Sequence, residues 1–196
     1  MQNFVVIDTE TGGVDPAIHS LLSVALVHWK PKKPPKEIIN LFVNEGENIY
    51  MTLPAFNVNK IKKSYVRKHG LEPKDAVLAI RGALNNTFGI NREPVILCGH
   101  NVAFDIDFMK RLYKMAGEDL NLDFEHRRTY DTASILYFLM STELIPFERP
   151  KLDLLLNKCG IDCSIHSRHS ALGDALATAE AFNALIDIYG QFKVGY

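Results

Sequence analysis

The sequence predicts an α/β protein in which a mixed β-sheet is flanked by helices. Three apolar segments of strand length come first, and short connections rich in turn residues join them, which favours an antiparallel meander. A further short strand then alternates with segments whose apolar residues recur at helical spacing. Strands followed by a strand–helix alternation are typical of a mixed sheet that is covered by helices.

The predicted strands are short apolar segments bounded by turn residues. They span residues 3–9, 20–29, 37–43 and 95–98. The predicted helices carry apolar residues three and four positions apart, as one buried helix face requires. They span residues 74–89, 102–116, 131–140, 151–158 and 171–189. Residues 51–70 carry mixed signals and belong to neither set.

Size and composition indicate one globular domain that spans residues 1–196. A chain of 196 residues with 47% apolar and 23% charged residues has the usual balance of a soluble domain, and it is too short for two well-packed ones. No apolar segment is long enough to cross a membrane, and residues 1–4 lack the basic start of a signal peptide. Cys98, Cys159 and Cys163 cannot all pair within the chain, which favours reduced thiols and a cytoplasmic location.

The charge distribution argues against one class of function. A net charge of −1 disfavours a broad surface that binds nucleic acid by charge alone, although a small site for a few nucleotides is compatible with it. Basic residues are nevertheless bunched in one window around Tyr65. They are Lys60, Lys62, Lys63, Arg67 and Lys68. A solvated surface is the favoured interpretation of this run, and a track for a phosphate backbone is the alternative.

Two carboxylates in the first strand are the strongest functional signal. The apolar run from Phe4 leads into Asp8, Thr9 and Glu10 and ends at a Thr-Gly-Gly turn. Alternate residues of a strand share a face, so Asp8 and Glu10 point the same way while Thr9 points to the other side. Like charges on one face repel, and oxygen ligands suit magnesium or manganese, so a divalent cation is the candidate that offsets the repulsion. Solvated acids at a strand end are the alternative.

Asp105 is the carboxylate that the helix at 102–116 directs inward. Two helical steps turn by about 200°, so Asp105 and Asp107 do not share a face. Asp105 lies on the apolar stripe, whereas Asp107 lies on the polar face, where it favours a surface ion pair. The basic residues of that face are Lys110, Arg111 and Lys114. Before the helix, Asn101 is favoured as a helix cap, and a hydrogen-bonded loop histidine is one explanation of His100.

A fourth carboxylate and a histidine lie at the start of the last predicted helix. Asp174 adjoins the buried stripe of this helix and, taken alone, is explained as an acid that complements the helix dipole. His169 precedes the helix, and a lone loop histidine is more often structural than catalytic. Taken together with Asp8, Glu10 and Asp105, however, these residues amount to four carboxylates and a base.

Three segments that carry these residues resemble the three motifs of the DEDDh 3′→5′ exonucleases. They are Asp8-Thr-Glu10, His100-Asn-Val-Ala-Phe-Asp105 and His169-Ser-Ala-Leu-Gly-Asp174, in the order of the family. The resemblance covers nearly the whole chain. The family includes DnaQ-like proofreading (epsilon) subunits of bacterial polymerases, ribonuclease T and oligoribonuclease. It implies a ribonuclease H-like α/β fold with a five-stranded mixed sheet, in which three antiparallel strands precede the parallel ones.

The resemblance implies a role for each residue of these motifs. Four carboxylates would hold two divalent cations, magnesium or manganese. They are Asp8, Glu10, Asp105 and Asp174. His169 would be the general base, because an imidazole takes up a proton near neutral pH, and His166 is the other histidine of that segment.

Four further residues match positions at which the family binds the terminal nucleotide. They are Thr9, Thr11, His100 and Phe104. For Phe104, a core aromatic is an equally good explanation. The chain departs from many proofreading members in two segments. These are Thr11-Gly12-Gly13, where they often have Thr-Thr-Gly, and Val58-Asn-Lys-Ile61, where they often have Val-His-Gly-Ile. Base and sugar preference therefore stay open.

The resemblance implies a metal-dependent exonuclease that releases nucleoside 5′-monophosphates from single-stranded 3′ ends, with DNA slightly favoured over RNA. An RNA-trimming, oligoribonuclease-like enzyme is the first alternative, and a non-catalytic nucleic-acid-binding module on the same fold is the second. Few residues follow the last predicted helix, so we expect no long tail that tethers a polymerase partner, and we favour a stand-alone nuclease. The strand at 37–43 could form an edge that pairs in a homodimer.

Overall fold

Five strands form one mixed sheet in the computed structural model, which describes residues 2–162 and 167–189. The strands are β1 (Phe4–Thr11), β2 (Leu21–Trp29), β3 (Lys36–Phe42), β4 (Val95–Gly99) and β5 (Phe124–Asp131). Their order across the sheet is β3-β2-β1-β4-β5. The β1–β2 and β2–β3 pairs are antiparallel, whereas β4 runs parallel to both β1 and β5. The predicted mixed sheet is confirmed. Cys163 and His166 lie outside the described residues.

Seven α-helices accompany the sheet in the described part of the chain. They are α1 (Leu53–Asn59), α2 (Lys63–His69), α3 (Pro73–Phe88), α4 (Val102–Ala116), α5 (Thr132–Ser141), α6 (Leu152–Lys158) and α7 (Ala171–Tyr189). The last five match the predicted helices to within one residue at each end. The unassigned segment 51–70 contains α1 and α2. The hydroxyl of Thr52 accepts a hydrogen bond from the backbone N–H of Ala55 and so caps α1.

Both faces of the sheet are covered, because the central strands are apolar on both sides. On one face, Val5 and Ile7 of β1 pack with residues of α3 and α4, such as Ile80 and Phe108. On the other face, Val6 packs with residues of α7. Helices α5 and α6 pack on the far side of α7 through a separate apolar cluster. This arrangement places the end of β1 between two helical layers.

The sequence pattern alone does not identify β5. The residues that follow Phe124 in this strand are polar or charged apart from Tyr130, and several are exposed. β5 lies at one edge of the sheet and has little apolar surface to bury, so it lacks the alternation that marks the other strands. β3 forms the other edge of the sheet. Among the described residues, no helix combines the length and the apolarity that crossing a membrane requires.

Candidate active site

The face of β1 that points toward α7 carries two carboxylates. Val6 of this strand belongs to the core on the α7 side, while Val5 and Ile7 belong to the core on the α3 and α4 side. Asp8 and Glu10 continue the face of Val6, because side chains alternate along a strand. The predicted placement of these two acids on one face is confirmed.

Helix α7 brings a third carboxylate to this face. Its small residues Ala175 and Ala179 are fully buried against the sheet, which allows the helix to lie close to β1. Asp174 lies in the first turn of the helix, beside this buried stripe. Oxygen atoms of Asp8, Glu10 and Asp174 all lie within 4.8 Å of one another. Two carboxylates of β1 and one that is distant in sequence thus form one cluster, which we call the acidic cluster.

Asp105 approaches β1 from the opposite layer. It lies in the first turn of α4, is only 4% exposed, and accepts a 2.7 Å hydrogen bond from the hydroxyl of Thr9. Its inward orientation and the orientation of Thr9 are as predicted. Among the described residues, the three acids at metal-ligand spacing do not include Asp105. The structure therefore brings three of the four predicted acids together and holds the fourth on the other side of β1, bound to Thr9.

The neighbouring Asp107 faces solvent. Its carboxylate lies 2.9 Å from the ammonium of Lys110, and both side chains are about half exposed, so the predicted surface ion pair is confirmed. Arg111, which the sequence places on the same face, instead turns toward Glu45, with 2.9 Å between Nη2 and Oε2. The guanidinium also donates to the backbone carbonyl of Pro16. The long side chain of Arg111 thus ties α4 to two loops.

Burial raises the pKa of each acid in this region, and mutual repulsion adds to the shift for Asp8 and Glu10. Desolvation, followed by the charges of Asp174 and Asp105, raises the pKa of Glu10 to about 7. The same causes raise the pKa of Asp8 well above its ordinary value. Burial raises the pKa of Asp105 to about 7, although the hydrogen bonds from Thr9 oppose this shift. Asp105 therefore belongs to the same electrostatic site, even though its oxygens lie outside the acidic cluster.

Arg168 compensates part of the negative charge. Its guanidinium donates to the carboxylate of Asp174 and to that of Asp153 on α6, with 2.6 Å between Nη2 and Oδ1 of Asp153. Burial raises the pKa of Asp174, and the charge of Arg168 opposes that shift. Sequence reasoning missed Arg168, although it directly precedes His169. No local pattern signals its contact with Asp153, because that contact depends on how α6 packs against α7.

Asn59 is a second residue that sequence reasoning missed. Its side-chain amide donates to the backbone carbonyl of Thr11 at 3.1 Å, and its side-chain oxygen accepts from the backbone N–H of Ile61 at 3.0 Å. The same side chain hydrogen-bonds Glu10, which partly lowers the pKa of that carboxyl group. Asn59 thus orients a member of the acidic cluster from the end of α1, a segment that the sequence left unassigned.

His169 lies at the rim of this site. It is exposed, its backbone adopts a left-handed conformation with a φ of 61°, and its N–H donates to Asp174 at 3.3 Å. It lines a cavity of about 450 Å³ together with Arg168 and residues 57–60. The structure thus places His169 beside the acidic cluster, with its ring outside the group of three carboxylates.

His100 is held by protein groups on both ring nitrogens. Nδ1 lies 2.9 Å from the hydroxyl of Thr132, and Nε2 lies 2.9 Å from the carbonyl oxygen of Pro150. This is the hydrogen-bonded loop histidine that the sequence analysis named as one explanation. Asn101 occupies the cap position of α4, but its side chain makes no capping bond. Its backbone N–H instead donates to the carboxylate of Asp131 at 2.8 Å.

A cavity of about 600 Å³ opens directly beside Glu10. Three of the four predicted nucleotide-binding residues line it, and the fourth, His100, does not. They are Thr9, Thr11 and Phe104. Further apolar lining comes from Val14 and Val58, whose side chains are largely exposed. The cavity therefore offers an apolar surface next to the acidic cluster, of a size that suits a nucleoside.

The turn after β1 depends on a close backbone approach at Gly12. A Cβ atom at this position would lie 1.9 Å from the carbonyl oxygen of Tyr50. The backbone of Gly12 hydrogen-bonds Ser20 and Thr52, each at 2.7 Å. These bonds fix the end of β1 against the segment that leads into α1. Main-chain hydrogen bonds thus hold together two segments that line the cavity beside Glu10, the end of β1 and the start of α1.

The donor set of the acidic cluster fits a hard divalent cation. All three side chains are carboxylates, and burial, together with mutual repulsion at Asp8 and Glu10, raises their pKa values, which means that a positive charge placed among them is favoured. Arg168 supplies only part of that charge. Residues at the cluster could therefore hold a metal ion, while the adjoining cavities could hold an organic ligand.

Several known proteins are similar to this chain in sequence. The sequence matches the family model RNase_T, described as an exonuclease, over residues 5–182. A DNA polymerase III subunit epsilon-like protein of Rhodobacter capsulatus is 29% identical over 191 residues, which are 93% of this chain and 23% of that protein. A ribonuclease T of Buchnera aphidicola is 26% identical over 194 residues, which cover 93% of this chain and 81% of that protein.

The fold also matches a solved structure. Exonuclease I of E. coli, crystallised in complex with a dT13 oligonucleotide, superposes with a TM-score of 0.75 at 16% sequence identity. The match covers 97% of this chain and 42% of that protein. The chain thus spans less than half the length of exonuclease I and of the R. capsulatus relative. The similarity confirms the ribonuclease H-like arrangement of the five-stranded sheet.

Proposed function

Because this chain belongs to the exonuclease family, we propose that it is a divalent-metal-dependent 3′→5′ exonuclease acting on single-stranded DNA. Each cycle releases one nucleoside 5′-monophosphate from the 3′ end. The observation that carries this proposal is the acidic cluster of Asp8, Glu10 and Asp174, with oxygens within 4.8 Å of one another. The apolar cavity of about 600 Å³ beside Glu10 supports a terminal nucleoside as the ligand.

The proposed cofactors are two magnesium or manganese ions. Asp8 and Glu10 of β1 and Asp174 of α7 would supply ligands on one face of the sheet, and Asp105 would supply a further carboxylate from α4. When bound, such ions lower the pKa of an attacking water and stabilise the charge that develops on the leaving oxygen. Burial raises the pKa of all four acids, and repulsion from the neighbouring acids adds to the shift for Asp8 and Glu10; a bound cation would offset both effects, which supports this assignment.

In this proposal, His169 is the group that takes up the proton of the attacking water. His169 would accept a proton from the water whose oxygen attacks the phosphorus atom. The bond from phosphorus to the 3′ oxygen of the preceding nucleotide then breaks, and that oxygen takes up a proton from solvent to become a hydroxyl. This division leaves the phosphate on the 5′ oxygen of the released nucleoside. His169 is exposed at the rim of the site, and its backbone N–H donates to Asp174, which holds it beside the acidic cluster. This position supports the role of a base that exchanges protons with solvent.

Trimming of RNA is the second candidate function. The observation in its favour is the similarity to a ribonuclease T that this chain matches over 81% of its length. Discrimination between the two depends on contacts to the 2′-hydroxyl of the terminal sugar. Three threonines line the cavity and are the residues to examine for such contacts; they are Thr9, Thr11 and Thr52.

Hydrolysis of end-labelled single strands tests the proposal. Matched DNA and RNA strands, labelled at the 5′ end, are incubated with magnesium, with manganese and with EDTA. We expect a ladder that shortens from the 3′ end, with DNA shortened faster, and none in EDTA. A faster RNA ladder would favour the second candidate, and the absence of any ladder would overturn both.

Isosteric variants test the metal assignment. Asp8→Asn and Asp174→Asn should abolish hydrolysis while far-ultraviolet circular dichroism stays unchanged. Asp107→Asn is the matched control, because this acid is about half exposed and is paired with Lys110 on the solvent face of α4, and it should retain full activity. Unchanged hydrolysis in the Asp8 or Asp174 variant would contradict the assignment.

A further inference from the structure

Lys60 has an unusual backbone conformation at the end of α1. It closes the helix with a φ of 58° and a ψ of 12°, and its backbone N–H donates to the carbonyl of Phe56. Glycine favours this left-handed conformation, whereas a lysine adopts it at a cost because of its Cβ atom. Residues held in such a conformation are found more often at functional sites. The backbone conformation at this position favours glycine, so the presence of a lysine suggests that its side chain has a function.

Lys60 shares a cavity with His169, beside the acidic cluster. It lines the cavity of about 450 Å³ that also contains His169 and Arg168. This cavity shares Val58 and Asn59 with the cavity of about 600 Å³ beside Glu10. The two cavities thus lie on either side of the end of α1. A strand whose terminal nucleoside fills the cavity beside Glu10 would continue into the cavity beside His169.

The two basic side chains in the cavity beside His169, those of Arg168 and Lys60, differ in whether a carboxylate pairs with them. The guanidinium of Arg168 is engaged by the carboxylates of Asp153 and Asp174. Lys60 is exposed, and within residues 2–162 and 167–189 no carboxylate lies within 4.0 Å of its ammonium group. A lysine without a carboxylate partner beside an acidic site attracts the phosphate groups of a nucleic acid strand.

We propose that Lys60 binds the phosphate that follows the scissile one toward the 5′ end of the strand. This assignment rests on the proposed function, since it takes the acidic cluster as the position of the scissile phosphate. Lys60 positions the strand and takes no part in bond breaking. A dinucleotide has only the scissile phosphate, whereas a trinucleotide also has the phosphate assigned to Lys60.

Glycine variants of two lysines provide a matched test. Lys32 also has a positive φ, of 61°, and is exposed, but it lies in the connection between β2 and β3, at the opposite end of the sheet from the acidic cluster. Lys60→Gly and Lys32→Gly thus remove the same charge and relieve the same kind of backbone strain. Both variants should have a Tm equal to that of the wild type or higher by about 2–4 °C.

Binding separates the two variants without any need for hydrolysis. The probe is a short 5′-fluorescein oligothymidylate in EDTA, and fluorescence anisotropy gives Kd at several salt concentrations. For Lys60→Gly, the slope of log K against log salt should be smaller in magnitude by about 0.7, the value for one phosphate contact on a single strand. Lys60→Arg should keep the wild-type slope, and so should Lys32→Gly. A wild-type slope in Lys60→Gly would overturn the proposal, as would an equal change in Lys32→Gly.

Hydrolysis supplies the second readout. Lys60→Gly should lower kcat/KM for the trinucleotide TpTpT by about 3–10-fold, mainly through KM, and leave that for the dinucleotide TpT unchanged. An equal loss on both substrates would assign Lys60 to the scissile phosphate and overturn the proposal. A wild type that binds but hydrolyses neither substrate would refute the proposed function, while the salt slope would still decide the role of Lys60.

Discussion

Replacing Glu10 by glutamine should stabilise the metal-free protein while abolishing its activity. Burial and the charges of Asp174 and Asp105 raise the pKa of Glu10 from 4.5 to about 7. Ionised Glu10 therefore costs the folded state up to about 3 kcal/mol at pH 8, since one pKa unit corresponds to about 1.4 kcal/mol. Glu10→Gln removes this charge and keeps a carbonyl oxygen that accepts the hydrogen bond from Asn59.

The sign of the pH dependence follows from the direction of the shift. The folded state binds the Glu10 proton more tightly than the unfolded state does. Its contribution to stability is therefore complete below about pH 4.5 and is lost as the pH rises through about 7. The glutamine variant should exceed the wild type by up to about 3 kcal/mol at pH 8, and by less than about 0.5 kcal/mol at pH 4.5.

Urea unfolding in EDTA measures this difference, and a second glutamate provides the control. Glu45 is paired with Arg111 at 2.9 Å, so Glu45→Gln should lower the free energy of unfolding at pH 8 by about 1–3 kcal/mol. Adding magnesium or manganese should stabilise the wild type at pH 8 and have little effect on Glu10→Gln. A Glu10→Gln protein that is less stable than the wild type in EDTA at pH 8 would refute the reasoning.

Three further variants test other parts of the site. His169→Ala should lower kcat by about 10²–10⁴-fold with unchanged circular dichroism, the usual span for a general base; an unchanged kcat would exclude it from that role. Thr9→Val removes a hydrogen bond that lowers the pKa of Asp105, so the acidic limb of the pH–rate profile should move up by about one pH unit, with activity recovered at higher pH. A profile identical to that of the wild type would show that this bond is unimportant. Gly12→Ala places a Cβ 1.9 Å from the carbonyl oxygen of Tyr50 and should lower the free energy of unfolding by about 1–3 kcal/mol in urea titration, and an unchanged midpoint would contradict the close approach.

Local rules of strand and helix geometry predict much of this site from the sequence. The alternation of side chains along β1 is a local property, so the common face of Asp8 and Glu10 and the opposite direction of Thr9 could be predicted. Helical periodicity is equally local, and it correctly directed Asp105 inward and Asp107 outward on α4. The family resemblance then gave the fold and the order of the motifs.

Edge position and weak periodicity limited the prediction of the fold. β5 has mostly polar side chains because it lies at an edge of the sheet, and α1 and α2 are too short to show a clear apolar stripe. One consequence concerns the site directly, because α1 ends at Asn59 and Lys60. A segment without a local pattern therefore supplies two residues that border the acidic cluster and its cavities.

The contacts around the four acids depend on the tertiary structure. The layers of the fold place Asp174 on one side of β1 and Asp105 on the other, so three acids cluster and the fourth is bound by Thr9. The packing of α6 against α7 brings Asp153 to Arg168, a contact that no local pattern indicates. These contacts join residues far apart in sequence, and their geometry depends on how whole helices pack on the sheet, whereas the direction of a side chain on a strand or helix depends on its neighbours alone.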